Sequence, residues 1–107
     1  MDQAVILSTA RTPIGKAYRG TFNDTDAPTL ASYAINSSIA KAGIDPSEVE
    51  DVIMGAAVQQ GTQGYNIGRL SAAASGLPSH VPGMSVDRQC ASGLMAIAIG
   101  AKQIACN

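Results

Sequence analysis

Short apolar runs alternate along the chain with longer segments of helical spacing, and this alternation constrains the fold more than any other feature of the sequence. Residues 4–7 and 52–58 are continuously apolar, which is typical of strands buried on both faces of a sheet. A third strand is predicted from Met84 to Arg88. A helical segment follows each strand, so the predicted order is β-α-β-α-β-α. This order predicts an α/β fold with a parallel sheet and right-handed crossovers.

The first predicted helix has recognisable ends. It runs from Pro28 to Ala42, with Asp26 as the N-cap and Gly43 as the C-cap. A shorter helix is predicted over residues 67–76, where apolar residues again recur at helical spacing. Both helices therefore connect predicted strands.

The last predicted helix, from Cys90 to Ala105, is apolar on every side through its first turns. A helix of this kind is buried all round in a folded protein. In a domain of 107 residues it would have a solvent side. We therefore expect cover from a larger protein of which this chain is a part, or from a partner.

Composition excludes several classes of function. The net charge is −1 and the seven Lys and Arg residues are scattered, whereas nucleic-acid surfaces and polybasic membrane patches need clustered basic residues. No apolar run reaches the ~18 residues that span a bilayer. Two cysteines are too few for a disulfide scaffold, which favours a reducing compartment. The expectation is a soluble cytoplasmic domain with neither nucleic acid nor membrane as a partner.

Cys90 is the main candidate for chemistry, because it lies where a predicted strand meets a predicted helix. The first turn of a helix carries partial positive charge, which favours the thiolate form of a cysteine. The small residues Ala91, Ser92 and Gly93 would let a substrate approach the backbone. Two interpretations stay open on these grounds: a nucleophile, or a buried structural cysteine.

The other reactive side chains favour structural roles. Cys106 lies at the opposite end of the predicted helix, where the dipole opposes a thiolate. His80 is separated from Cys90 by the length of a strand, which favours a surface or interface histidine. Arg88 is expected to pair with a carboxylate, either Asp87 or Asp51.

No metal or nucleotide cofactor is predicted. One histidine and two separated cysteines do not make a metal site. The glycines at residues 61–68 have the wrong spacing for a dinucleotide fingerprint, and residues 14–17 lack the upstream glycine and the Ser/Thr of a P-loop.

Three stretches resemble the thiolase family in order and spacing. Residues 87–96, Asp-Arg-Gln-Cys-Ala-Ser-Gly-Leu-Met-Ala, resemble the acyl-enzyme signature of that family. Residues 11–15 resemble the loop after its first strand, and residues 61–69 resemble its Gly-Gln-Asn…Ala-Arg loop. The resemblance covers residues 1–107, which correspond to the N-terminal part of the thiolase N-terminal domain, about the first quarter of a thiolase.

The resemblance implies an acyltransferase in fatty acid metabolism. Cys90 would form an acyl-enzyme from a 3-ketoacyl-CoA or from acetyl-CoA, with acyl-CoA and CoA as substrates and no cofactor. Its backbone N–H would be one donor of the oxyanion hole. The family's five-layered fold buries the nucleophile helix, and its homodimers or homotetramers would place the strand from Met84 to Arg88 at the interface. The catalytic histidine and second cysteine of the family lie later in its chain, so this chain alone should be inactive.

Two departures and two alternatives accompany the resemblance. Asp87 stands where the family usually has Asn, and Gly68 stands where it often has Ala, which we expect to be a mild change. A 3-ketoacyl synthase of the same fold also uses a cysteine at a helix start. A non-catalytic, lipid-binding thiolase homologue is the alternative outside enzymes.

Overall fold

The computed structural model describes residues 1–106 and contains a two-stranded parallel sheet with helices packed against it. The elements in chain order are α1 (Ala27–Ala42), a 3₁₀ turn (Pro46–Glu48), β1 (Val52–Gly55), a second 3₁₀ turn (Gly61–Gln63), α2 (Ile67–Ala74), β2 (Gly83–Val86) and α3 (Ser92–Cys106). In the parallel ladder Val52 is paired with Gly83 and Gly55 with Val86. The predicted α/β class and the predicted parallel pairing are therefore confirmed.

The strand predicted at residues 4–7 does not form. The side chains of Val5, Ile6 and Leu7 are between 66 and 75 % exposed. A strand needs a hydrogen-bonded neighbour, and β1 and β2 pair only with each other in the part of the chain that the structure describes. The segment that follows is held on α1 instead, because the Ser8 hydroxyl donates to Ser38 O at 2.7 Å. The prediction of a first strand here is wrong.

The two strands that form are shorter than predicted. β1 ends at Gly55 rather than at Val58, and β2 ends at Val86 rather than at Arg88. The last bond of the ladder runs from Ala56 N–H to Val86 O at 2.9 Å. Beyond it the chain after β2 turns back on itself, so the ladder cannot continue.

The caps of α1 confirm the predicted helix to within one residue. The Asp26 carboxylate accepts a hydrogen bond from Thr29 N–H at 2.8 Å, and Gly43 ends the helix in the left-handed conformation with φ of 68°. Only a residue without a Cβ adopts that conformation at little cost. The ends of α1 are therefore fixed by local chemistry that is visible in the sequence.

The core lies between α1, α2 and the sheet. Ala72, Leu77 and Val81 are buried at its centre. Partly buried residues of α1 and β1 pack against them: Ile35, Ile39, Val49 and Val52. Ser71 is fully buried at the same face of α2, and its hydroxyl has no hydrogen-bond partner.

Helix α3 is buried along one side only, whereas the sequence predicts burial all round. Ser92 and Ala96 are the buried residues of this helix, and they face the sheet. Leu94 is 72 % exposed and Ile97 is 61 % exposed. The two strands in the described part of the chain cover only one side of this apolar helix.

The N-cap of α1 predicts a loss of stability in acid. Hydrogen bonds from the side chain and backbone of Thr29 hold the pKa of Asp26 below its ordinary value of 3.8. A carboxyl whose pKa is lowered by folding stabilises the folded state at pH values above its pKa in the unfolded chain. This stabilisation is lost as the pH falls through its pKa in the folded chain. We expect Asp26→Asn to lower the melting temperature at neutral pH and to match the parent well below pH 3.8, as measured by circular dichroism.

The control for this prediction is Asp24→Asn, which removes an exposed carboxylate that caps no helix. Its melting temperature should follow that of the parent at every pH. A difference between Asp26→Asn and the parent that persists at the most acidic pH would contradict the assignment.

Candidate active site

Cys90 lies exposed in the turn that joins β2 to α3. Helix α3 begins at Ser92, two residues after the start that the sequence predicts. Two consecutive tight turns occupy the intervening residues: Ala91 N–H donates to Arg88 O at 3.0 Å, and Ser92 N–H donates to Gln89 O at 3.1 Å. Cys90 is thus an exposed free thiol within residues 1–106.

The residue before Cys90 has an unusual backbone conformation. Gln89 has φ of 49°, in the left-handed region, which costs a residue with a Cβ about 1–2 kcal/mol. The Asp87 carboxylate compensates by accepting a hydrogen bond from Gln89 N–H at 2.9 Å. An Asn side chain could accept the same bond through its oxygen, so the acidic residue at position 87 preserves the turn.

Ser92 closes the turn from its other end. Its hydroxyl donates to Gln89 O at 2.6 Å and accepts from Arg88 N–H at 2.9 Å. The side chain is 4 % exposed, so water has little access to either bond. Both residues that precede Cys90 are therefore tied to the first residue of α3.

The end of β1 supports this turn by direct backbone contact. A Cβ added to Gly55 would overlap the Ser92 carbonyl and would lie 2.5 Å from Gly93 N. The start of α3 therefore rests on the backbone of β1, at the carboxyl end of the parallel ladder. The carboxyl end of a parallel sheet is a frequent place for binding sites in α/β proteins.

Asn66 attaches α2 to β2. It caps α2 in the left-handed conformation, with φ of 62°, and accepts from Arg69 N–H at 3.1 Å. Its amide donates to Gly83 O at 2.9 Å, and its oxygen accepts from the Ser85 hydroxyl at 3.2 Å. The Asn residue of the 61–69 stretch is therefore a structural link that sets the position of β2.

Arg69 holds the connector that leads into β2. Its guanidinium donates to Val81 O at 2.8 Å and to Ser79 O at 3.4 Å. These carbonyls lie in the connector before Pro82, where a turn closes with a bond from Val81 N–H to Pro78 O at 3.0 Å. The Arg residue of the same stretch is therefore also structural.

Glycine at position 68 is required by the packing of α2 on β2. A Cβ at Gly68 would overlap the Met84 carbonyl, and a Cβ at Gly83 would lie 2.5 Å from Arg69 N. The expectation that Gly68 in place of Ala is a mild change is wrong in this structure. An alanine there would push α2 away from β2.

The remaining side chains do not join Cys90. His80 is exposed in the connector, as predicted, and no hydrogen bond or ion pair links it to Cys90 within residues 1–106. The Asp87 and Asp51 carboxylates bond to Gln89 N–H and to the Gln103 amide. The ion pair predicted for Arg88 is consequently absent from the described residues, and Arg88 is exposed.

The 11–15 stretch lies away from Cys90. Arg11, Thr12 and Pro13 line an open cavity of about 580 Å³ together with Phe22 and residues of α1. None of its lining residues belongs to the turn that carries Cys90. Within residues 1–106, the side chains form no cluster able to hold a metal ion. No helix in the same part of the chain is long and apolar enough to cross a membrane.

The sequence indicates Cys90 as a candidate, but it does not indicate the residues that shape the turn of Cys90. The left-handed Gln89 and the two bonds of the Ser92 hydroxyl are not visible as periodicity or as a motif for chemistry. The signal that was available is the pair of short polar side chains, Asp87 and Ser92, on either side of Gln89. Such residues frequently bond to nearby backbone groups in turns.

Comparison with known proteins identifies relatives of the whole chain. The family described as "Thiolase, N-terminal domain" matches residues 4–107. The chain is 38 % identical over 104 residues to a 3-ketoacyl-CoA thiolase of Bacillus subtilis, covering 97 % of this chain and 27 % of that protein. It is also 38 % identical over 104 residues to an acetyl-CoA acetyltransferase of Cupriavidus necator, covering 97 % of this chain and 26 % of that protein.

A solved structure has the same fold. The Acat5 thiolase from Ascaris suum, in complex with coenzyme A, superposes with a TM-score of 0.92 at 29 % sequence identity. The match covers 99 % of this chain and 27 % of that one. The chain therefore spans about a quarter of the length of the relatives it matches.

The contact of Gly55 with α3 predicts that Gly55→Ala displaces the turn of Cys90. Overpacking of this kind costs about 1–3 kcal/mol. A displaced Cys90 should also react with iodoacetamide at a changed rate, because that rate depends on the surroundings and accessibility of the thiol; peptide mass spectrometry measures it. The control is Gly100→Ala in α3, where a Cβ would meet Ile53 Cδ1 at an ordinary 3.8 Å. Equal Cys90 rates in the two variants would contradict the prediction.

The left-handed cap at Asn66 predicts an order of stability. Asn66→Gly and Asn66→Ala both lose the bonds to Gly83 and Arg69, but only alanine is strained at positive φ. We expect Asn66→Ala to be less stable than Asn66→Gly by roughly 1 kcal/mol in urea unfolding. An alanine variant at least as stable as the glycine variant would show that the conformation at this position is different.

Proposed function

Since the chain belongs to the thiolase family, we propose that residues 1–107 form the N-terminal part of a thiolase and that Cys90 is its acyl-accepting nucleophile. The observation that carries the proposal is the placement of Cys90. It is an exposed thiol in a turn fixed at both ends, between a parallel strand and a helix. The relatives are named as acyl transferases that act on CoA thioesters.

The proposed reaction in the degradative direction is thiolysis. The Cys90 thiolate attacks the 3-keto carbon of a 3-ketoacyl-CoA, and a C–S bond forms. The C2–C3 bond then breaks, and its electron pair leaves as the enolate of acetyl-CoA, which takes up a proton. A CoA thiolate attacks the acyl-enzyme, the bond to Cys90 breaks, and a shortened acyl-CoA leaves. In the synthetic direction acetyl-CoA acylates Cys90, CoA leaves, and the enolate of a second acetyl-CoA attacks the acyl group.

The backbone of Cys90 can supply one donor of an oxyanion hole. The N–H groups of Ala91 and Ser92 are occupied by the two turns, whereas the Cys90 N–H makes no hydrogen bond within residues 1–106. A backbone N–H of the nucleophile itself that is without a partner in the turn is suited to the negative oxygen that forms when the carbonyl is attacked. The resemblance to thiolases implies that a second donor comes from a later part of the chain.

No side chain within residues 1–106 is hydrogen-bonded to the Cys90 thiol as a proton acceptor. His80 is exposed in the connector before β2, and no bond joins it to Cys90 in the part that the structure describes. The resemblance implies that a histidine and a second cysteine from the remainder of a thiolase complete the site. We call this chain, joined to or combined with that remainder, the assembled thiolase.

A second copy of the protein is the proposed partner at β2. The outer edge of this strand has no neighbouring strand within residues 1–106, and Met84 on it is 37 % exposed. Strand edges with free N–H and C=O groups pair readily with another chain. This supports the homo-oligomer interface that the resemblance implies between Met84 and Arg88. A cytoplasmic location stays a prediction, since one relative is a peroxisomal thiolase of Arabidopsis thaliana.

The proposal predicts that the assembled thiolase cleaves acetoacetyl-CoA in the presence of CoA and that this chain alone does not. Cys90→Ala should lower kcat by a factor of about 10³ or more, because it removes the atom that carries the acyl group. The matched control is Cys106→Ala, which removes the other exposed cysteine and should keep the parent rate. Release of acetyl-CoA, followed by chromatography, measures both.

Two outcomes would overturn this function. Acyl transfer from a carrier-protein thioester but not from CoA would indicate a 3-ketoacyl synthase. Lipid binding without turnover in the assembled thiolase would indicate a non-catalytic homologue. The names of the relatives and the coenzyme A complex of the structural relative favour CoA thioesters over both alternatives.

A further inference from the structure

We propose that the Ser92 hydroxyl is a positioning residue for Cys90, an inference that rests on the proposed function. Ser92 is a separate residue from the nucleophile, and its hydroxyl bonds to the backbone of Arg88 and Gln89. It acts through the backbone: its hydroxyl holds Arg88 and Gln89, the two residues whose conformation sets where the Cys90 side chain points.

Both hydrogen-bonding capacities of the hydroxyl are used within the turn. It donates to Gln89 O at 2.6 Å and accepts from Arg88 N–H at 2.9 Å. A hydroxyl is the smallest side-chain group that can do both, because it carries one donor and two acceptor positions. The side chain is 4 % exposed, so water cannot easily replace it. Its removal would leave Arg88 N–H without this partner.

The two hydrogen bonds of the Ser92 hydroxyl matter because of the conformation of Gln89. Gln89 is left-handed, with φ of 49°, and such a residue relaxes to a right-handed conformation when its surroundings permit. The Ser92 hydroxyl opposes this relaxation by holding Gln89 O, while Asp87 holds Gln89 N–H at 2.9 Å. A change at Gln89 would rotate the following peptide and move Cys90 together with its N–H.

Ser92 is itself anchored to the sheet. Its backbone carbonyl lies against the backbone of Gly55, so closely that a Cβ at Gly55 would overlap it. Through this contact and the bonds of its hydroxyl, Ser92 fixes the turn of Cys90 relative to β1. The backbone bonds from Ala91 and Ser92 remain when the hydroxyl is removed, so α3 should still form. The main effect expected is on the placement of Cys90.

The test compares Ser92→Ala with Ser71→Ala in the assembled thiolase. Ser71 is a matched control, because it is also a buried helical serine but its hydroxyl has no hydrogen-bond partner. One readout is the rate at which iodoacetamide labels Cys90, with Cys106 in the same molecule as the internal reference, by peptide mass spectrometry. The others are kcat and KM for thiolysis of acetoacetyl-CoA, and the melting temperature.

We expect Ser92→Ala to lower kcat by about tenfold or more, because small misplacements of a reacting atom have effects of this size. The Cys90 labelling rate should fall as well, because a displaced thiol loses the surroundings that favour its thiolate. The Cys106 rate should stay within about twofold, and KM should change little. Ser92→Thr keeps the hydroxyl and should recover most of the lost rate. Ser71→Ala should behave as the parent.

Three results would overturn the inference: a Cys90 rate in Ser92→Ala within about twofold of the parent, an equal loss in Ser71→Ala, or a folded Ser92→Thr as slow as Ser92→Ala. If Ser92→Ala does not fold, Ser92→Thr is compared with the parent, and a folded Ser92→Thr that labels Cys90 and turns over at least tenfold more slowly than the parent would overturn the inference. Failure of the proposed function is distinguishable, because the unsubstituted assembled thiolase would then lack thiolysis and its Cys90 would react no faster than Cys106.

Discussion

The contact between the backbone of Gly55 and the first turn of α3 is the constraint on which the arrangement of Cys90 depends. The strand and the helix approach so closely there that only glycine fits. Side-chain packing leaves room for small adjustments, but backbone contact does not. The start of α3 is therefore fixed relative to the sheet, and the turn from Asp87 to Ser92 must span a fixed gap between β2 and α3. A left-handed Gln89, held by hydrogen bonds on both sides, completes that connection.

Much of the fold could be predicted from the sequence, because it depends on local signals. The caps at Asp26 and Gly43, the alternation of strands and helices, and the position of Cys90 between two elements are all readable in this way. Whether residues 4–7 form a strand could not be predicted from local signals, because a strand forms only when a neighbouring strand pairs with it. The burial of α3 depends equally on what surrounds it. The requirement for glycine at position 68 arises from a contact between α2 and β2, and no local pattern reports that contact.

The residues in the stretches that resemble thiolases have two different roles in this structure, one proposed for chemistry and one structural. Cys90 carries the proposed chemistry. Asn66 and Arg69 hold β2 and its connector through hydrogen bonds to backbone carbonyls, and they reach no reacting group. The stretches that resemble the family therefore include residues that support β2 as well as the proposed nucleophile. These structural residues lie in a chain that spans about a quarter of the length of its relatives.

The most direct test of the central claim is to locate the acyl group itself. The assembled thiolase is mixed with acetyl-CoA labelled in the acetyl group, quenched in acid within one turnover, digested and mapped by mass spectrometry. The account predicts that the label is on the peptide that contains Cys90 and is discharged by added CoA. Label on the peptide that contains Cys106, or no covalent label in an enzyme that is turning over, would contradict it.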